Sequence, residues 1–411
     1  MSFLRGFAFN GAVMAAVVCL SLLNQGMLGD GLGEEAYGVL GWWFTAVTLA
    51  VQAGGEWLGR GSLDRVGRGA GRRALGGNIL AYLACLGAAL ALGGLVLGEA
   101  LAAATPSFPG VVWMAAALVL CGVLLRCGEA LLQGEDRVRY YSLVPLVFVG
   151  AYFAGNAVAL GRGGGLEAVF AAWLAATLVA ACFAWGPAWR SGLALDWGLL
   201  RETAAVGRRG GPAFLLVSLM MGMDMFIVER VGDSAELGYY RVVTVFAVMF
   251  QRPLNVAGTV LLPKIVRGGA DLLSAKVAQG ALLFGLAAAA ALAVGGRWAI
   301  ALVYENPAYA AAYAPLMWLV PGLVAIGCGS VLNTRLYGQG YPAVTVWAPA
   351  LAIAAKIALN ALFHTAYPGL GLRGVALASS LSYGLWAAVV AVYYLRLTGL
   401  GPGALLRPFW R

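Results

Sequence analysis

Asp224, Arg252 and Lys356 are ionisable side chains set inside long apolar runs, each about two turns or more from the nearest end. A charge at such a depth costs at least about 2.5–3.5 kcal/mol on insertion scales. Residues of this kind turn towards an interior cavity or towards one another, and they either pair off or bind a ligand of opposite charge. Asp224 and Arg252 fall on consecutive antiparallel runs at different depths, so pairing between them requires an axial offset. Asn360 lies one turn beyond Lys356 on the same face. Other polar residues in the runs are Asn24, Gln25, Gln52, Glu56, Asn78, Arg126, Glu129, Asn156, Arg241, Asn255 and Asn333. Arg126 and Glu129 are i,i+3 neighbours that can satisfy each other. Glu56 lies near a run end and can reach headgroups, and Arg241, about one turn from its end, can snorkel. Among these charges Arg126, Arg241, Arg252 and Lys356 slightly outnumber Glu56, Glu129 and Asp224. A cationic excess suits an anionic ligand, because Arg and Lys give charge-assisted hydrogen bonds to phosphate or carboxylate.

The elements that carry these residues follow from composition. Of 411 residues, 62% are hydrophobic and 11% charged, and the mean hydropathy is +0.84. Soluble domains carry about 25% charged residues, so the solvent here is lipid and the class is a polytopic all-α membrane protein. The net charge of +9 is explained by basic residues at cytoplasmic helix ends. No aromatic-interleaved basic patch points to nucleic acid. Cys19, Cys85, Cys121, Cys127, Cys182 and Cys328 lie in apolar stretches without a CxxC spacing and read as small buried hydrophobes. His364 is the single histidine, which excludes a His-based metal site. No cofactor and no catalytic residue is expected. The first apolar run is longer than the h-region of a cleavable signal, about 7–15 residues, and reads as a signal anchor.

With about 20 apolar residues per span, the runs are 8–28, 37–59, 75–98, 111–132, 141–161 and 167–189, then 212–231, 238–262, 277–296, 311–333, 342–363 and 372–395. Those are about twelve transmembrane helices. Alternate loops are basic, with Arg60, Arg65, Arg68, Arg72 and Arg73, then Arg137 and Arg139, then Arg190, Arg201, Arg208 and Arg209, then Lys264, Arg267 and Lys276, then Arg335. Arg5, Arg396, Arg407 and Arg411 put both termini on that same, cytoplasmic side. The opposite loops carry Asp30, Glu34, Glu35, Glu99, Glu167, Asp233, Glu236 and Glu305 with few basic residues. No extramembrane stretch is long enough for a soluble domain.

Six runs precede the loop 190–211 and six follow it, giving two six-helix bundles, 1–200 and 201–411. At an offset of 200, Glu34–Gln52 (EEAYGVLGWWFTAVTLAVQ) parallels Ser234–Arg252 (SAELGYYRVVTVFAVMFQR), with Gly38 over Gly238 and Gln52 over Arg252. Parallel repeats about an axis along the membrane normal are a transporter design that holds substrate between the halves. The expected substrate-binding set is Asp224, Arg252, Lys356, Asn360, Gln52, Arg241, Asn24 and Gln25.

The ordered motifs LLNQGMLGDGLGEEAYGVLGWW, DMFIVERVGDSAELGYYRVVTVFAVMFQRPLNV, LYGQGYPAVTVW, KIALNALF and GLRGVALASSLSYGLW resemble bacterial polysaccharide flippases of the Wzx type. These belong to the multidrug/oligosaccharidyl-lipid/polysaccharide exporter superfamily, and the resemblance covers nearly the whole chain. It implies two bundles, alternating access, and movement of an undecaprenyl-diphosphate-linked oligosaccharide from the cytoplasmic to the outer leaflet of the bacterial inner membrane. The partners it implies are that anionic lipid-linked glycan, membrane lipids and a coupling ion, proton or Na+, for which Asp224 and Glu56 are the titrating sites; two internal halves make a monomer sufficient. The related lipid II flippases resemble a fourteen-helix plan, which favours the oligosaccharide branch for a chain of about twelve. A cation-coupled drug or metabolite antiporter shares the fold and would have a carboxylate-dominated cavity. A membrane-embedded glycan polymerase or ligase would have a sizeable outer loop, which this chain lacks.

Overall fold

The computed structural model describes residues 3–105, 108, 110–135, 137–189, 192–266, 271–401 and 403. Arg190, Arg267, Arg407 and Arg411 lie outside the described residues, as do the side chains of Arg5, Asn255 and Lys264. The described residues form α-helices, two 3-10 turns and no strand. The first six helices are α1 Phe3–Gly67, α2 Arg72–Ala104, α3 Val111–Gly134, α4 Val138–Gly161, α5 Leu166–Trp189 and α6 Trp197–Gly222. They are followed by α7 Asp224–Val231, α8 Ser234–Val266, α9 Asp271–Val303, α10 Tyr313–Gly338, α11 Val344–Ala366 and α12 Leu372–Thr398.

Among the described residues ten helical segments are long and apolar enough to cross a membrane, which makes the chain a multi-pass membrane protein. One of the ten, α1, is two arms divided at Gly33, whose φ of 75° and ψ of 170° form a backbone state that only glycine enters freely. Together with α8, the two arms account for the twelve runs expected from hydropathy. The helices outrun the apolar stretches: α2 covers 72–104 where hydropathy marks 75–98, and α6 starts at Trp197, not 212. The span ruler measures only the hydrocarbon, whereas backbone hydrogen bonding carries a helix on into the polar interface. The outer faces of α2 and α9 leave large aliphatics bare, Leu95 at 76% and Leu302 at 87% exposure. Lipid is the solvent for those faces.

The chain forms two compact units, Met1–Leu215 and Leu216–Arg411, and the division falls inside α6. The early turns of α6 belong with the first unit because they pack on the second arm of α1. A Cβ on Gly61 would overlap the Thr203 carbonyl, and one on Gly207 would overlap the Trp57 carbonyl. Arg65 pairs with Glu202 at 2.9 Å. The approach to α6 is held as firmly. The Asn78 amide donates to Asp196 O at 2.9 Å and accepts from Asp196 N at 3.0 Å, while Asp196 Oδ1 caps α6 by accepting from Leu199 N at 3.0 Å.

Within each unit the helices pair in one pattern. The second arm of α1, together with α2 and α5, packs on α3, and α4 packs on α5; likewise α8, α9 and α12 pack on α10, and α11 packs on α12. α2 and α9 are each 33 residues long, and α3, α4 and α5, at 24 residues each, correspond in chain order to α10, α11 and α12 at 26, 23 and 27. The arm after Gly33 and helix α8 both start 200 residues apart, at Glu34 and Ser234.

The glycine contacts are testable. Gly61→Val forces a branched side chain against the α6 backbone, and overpacking of this kind costs about 1–3 kcal/mol. Its melting temperature in detergent should fall, whereas Gly186→Ala, with nothing within 4 Å of the added carbon, should melt with the wild type.

Candidate functional site

Helical regularity breaks at Met223, which keeps φ at −64° but has ψ of only −13°, shallower than the usual α value near −42°. The break separates α6 from α7 and starts α7 on Asp224. Lys356 of α11 arrives at this point. Its Nζ lies 2.6 Å from Asp224 Oδ1 and donates to the Met220 carbonyl at 2.7 Å. The hydroxyl of Tyr383 on α12 accepts from Nζ at 3.5 Å and donates to Met221 O at 3.4 Å. The ammonium also sits 4.9 Å from the centre of the Tyr383 ring, within cation–π range. Ser379 Oγ donates to Asp224 Oδ1 at 2.6 Å. Tyr240 of α8 is fully buried beside Asp224 and Ser379, and its hydroxyl makes no hydrogen bond of normal geometry.

The side chains of Lys356 and Asp224 are 0% and 3% exposed. Both are turned on each other, so the pairing open to Asp224 in the sequence goes to Lys356 and not to Arg252. Asn360 donates to the Lys356 carbonyl at 2.8 Å, a bond within its own helix. Ser379, Tyr383 and Tyr240 were absent from the expected set. For two of them a sequence signal was available, since Ser379 and Tyr383 are i,i+4 neighbours in the polar cluster Ser379, Ser380, Ser382 and Tyr383 of α12.

In the first unit, Asn156 Nδ2 donates to Asn24 Oδ1 at 2.9 Å in a fully buried contact. Asp224 stands 200 residues after Asn24 and Lys356 200 residues after Asn156, the same offset that relates Gly38 to Gly238. One pair of positions therefore joins the equivalent helices of each unit, through two amides in the first and an ion pair in the second. Gln25, next to Asn24, accepts from the buried Tyr37 hydroxyl at 2.8 Å.

Four other charges of the first unit, Glu56, Arg60, Arg126 and Glu129, form a network near the basic ends of its helices. Arg60 Nε meets Glu56 at 2.6 Å, and Arg126 reaches Glu129 at 3.1 Å and Glu56 at 3.7 Å. Arg60 also lies over the Phe214 ring at 3.8 Å. Glu56 is 5% exposed, so it is used by protein and not by headgroups. A cavity of about 60 Å³ adjoins these residues, with Gln133 and Tyr141 in its wall. A larger concavity, a groove of Ala and Gly on α4 and α5 ending at Arg162, carries no comparable constellation.

Arg241 is buried at 7% exposure. Gln52 is half-buried, and its Oε1 has no hydrogen-bond partner among the described residues. Arg252, on the same helix as Arg241, is half-buried and has no carboxylate within ion-pair distance among the described residues.

No family model matches the chain, and no curated protein matches it in sequence. Solved structures do match in fold. The inward closed conformation of the lipid II flippase MurJ superposes with a TM-score of 0.79 at 15% identity, over 97% of this chain and 89% of that one. An inward-facing multidrug resistance MATE family transporter of the MOP superfamily gives 0.74 at 18% identity, over 93% and 95%. A MOP superfamily transporter from Pyrococcus furiosus, described by the reverse polarity of its binding pocket, gives 0.66 at 17% identity, over 96% and 94%. The fold is that of the MOP superfamily transporters.

The repeated pair makes a prediction. Removing one partner of a buried ion pair costs about 3–5 kcal/mol, so Asp224→Asn and Lys356→Asn should each lower the melting temperature or the amount of folded protein sharply. Combining them restores the amide pair used in the first unit, and the double variant should be more stable than either single one. A double-mutant cycle on melting temperature reads the coupling.

Proposed function

We propose that the chain is a flippase that carries an undecaprenyl-diphosphate-linked oligosaccharide across the bacterial inner membrane by alternating access, for polysaccharide export. Arg252 carries this reading. Asp224 is neutralised by Lys356, and Glu56 and Glu129 by Arg60 and Arg126. Arg252 keeps a guanidinium with no described carboxylate beside it. Such a group holds a planar, permanently charged fork suited to phosphate oxygens, and a diphosphate would supply the countercharge that the protein does not. Arg241, one face of the same helix, and Gln52, the repeat counterpart of Arg252, are the companions in this reading.

The physics of the task fits. A glycan diphosphate loses its water in hydrocarbon without replacement, and polar protein groups take over that solvation. Both termini are cytoplasmic in this reading, because the basic loops lie on their side. An inside-negative potential then favours outward movement of two negative charges by about 4.6 kcal/mol per 100 mV. The fold is shared with multidrug resistance transporters, which supports cation-coupled drug export as the second reading. The occupied state of Asp224 and Glu56 weighs against it, since that chemistry calls for carboxylates open to substrate or proton.

Arg252→Ala should reduce surface glycan at least about tenfold, the loss of one charge-assisted contact of about 1.5–3 kcal/mol, while its amount in the membrane stays normal. Arg252→Lys should retain part of the export. Undiminished export by Arg252→Ala overturns the assignment, and drug tolerance conferred by the wild type, abolished by the same change, selects the second reading.

A further inference from the structure

We infer that Lys356 is a built-in counter-cation: its ammonium fills an oxygen-lined site at the Met223 break that would otherwise take a monovalent metal ion. The C-terminal unit thereby holds its cation covalently and needs no exchangeable one.

The shell around Nζ carries the argument. Within 2.7 Å it has a carboxylate oxygen, Asp224 Oδ1, and a main-chain carbonyl, Met220 O, with the Tyr383 hydroxyl oxygen at 3.5 Å. Carboxylate, carbonyl and hydroxyl oxygens are the ligands that hard cations select. A break in a membrane helix is the device by which transporters turn main-chain carbonyls onto a coupling ion. Here the break is present, and Nζ occupies the point on which those oxygens converge. Ser379, bonded to the same carboxylate oxygen, and the buried Tyr240 hydroxyl bring further oxygens close. Tyr240 Oη makes no hydrogen bond of normal geometry among the described residues.

The repeat sharpens the point. At the equivalent positions of the first unit, Asn24 and Asn156 join the equivalent helices through uncharged side chains. The second unit differs by one acid and one base at these two positions. If Asp224 served an exchangeable ion, a lysine at 356 would compete with it permanently, because a tethered ammonium has an effective concentration that dissolved ions do not reach.

Full-length protein in detergent, at constant ionic strength in sodium, potassium or choline chloride, tests this by melting temperature. The readout is ion binding, independent of the transported substrate, so failure here leaves the flippase reading in place. Wild type should melt equally in all three salts. Lys356→Ala should melt higher in sodium or potassium than in choline, by on the order of 5 °C at saturation, and adding Asp224→Asn should erase the difference. Lys356→Gln, which keeps part of the stem, should shift in the same direction by less. Recovery of folded Lys356→Ala only when an alkali ion is present counts in favour. A saturable alkali-ion shift in the wild type overturns the inference. So does the absence of any salt effect in both lysine variants, or their failure to fold in every salt.

Discussion

Hydrocarbon offers a charged side chain no water, so each ionisable group within the helices must find its solvation in the protein or in a ligand. The described structure meets that demand in distinct ways. The second unit brings one ammonium to one carboxylate and surrounds both with hydroxyls and a main-chain carbonyl. The first unit distributes charge over two arginines and two glutamates, with a phenylalanine ring beneath one guanidinium. Arg252 receives neither treatment from the described residues. The helix packing that makes this possible depends on close backbone approach, as at Gly322 against Ser380 and Gly61 against Thr203.

The sequence carried the membrane class, the twelve runs and the repeat, because each rests on a physical sum over many residues. Apolar length is one such sum and loop charge another. Individual partners rest on one rotamer and one helix register, and these were less legible. Glu56 lies near a run end, where a path to headgroups is open, but its helix turns it inward to Arg60. Asp224 and Arg252 are neighbours along the chain, yet Lys356, 132 residues further on, is the group that α11 delivers. The Met220 carbonyl could not be foreseen at all, since it becomes a ligand only where the helix breaks.

The two units show how a repeat can keep its architecture while changing its chemistry. Both join equivalent helices through a pair of buried polar side chains. The amide pair is neutral. The ion pair is expensive to bury and recruits Ser379 and Tyr383 from α12 and a carbonyl of α6 to satisfy it, which ties four helices, α6, α7, α11 and α12, where the amides tie two. The shared positions define a joint within each unit, neutral amides in the first and an ion pair in the second.

Helix α6 has a consequence for how the chain could be divided. Its first turns are seated on α1 through Gly207 and the Glu202–Arg65 pair, and its last turn ends at the break beside Asp224. A polypeptide severed in the loop after Trp189 would leave the C-terminal fragment with a preformed plug, and the N-terminal fragment with the matching glycine-lined seat. Fragment complementation, with the two pieces made separately and reassembled in the membrane, would therefore be guided by this helix. A cut at residue 215 would destroy the same helix and the guidance with it.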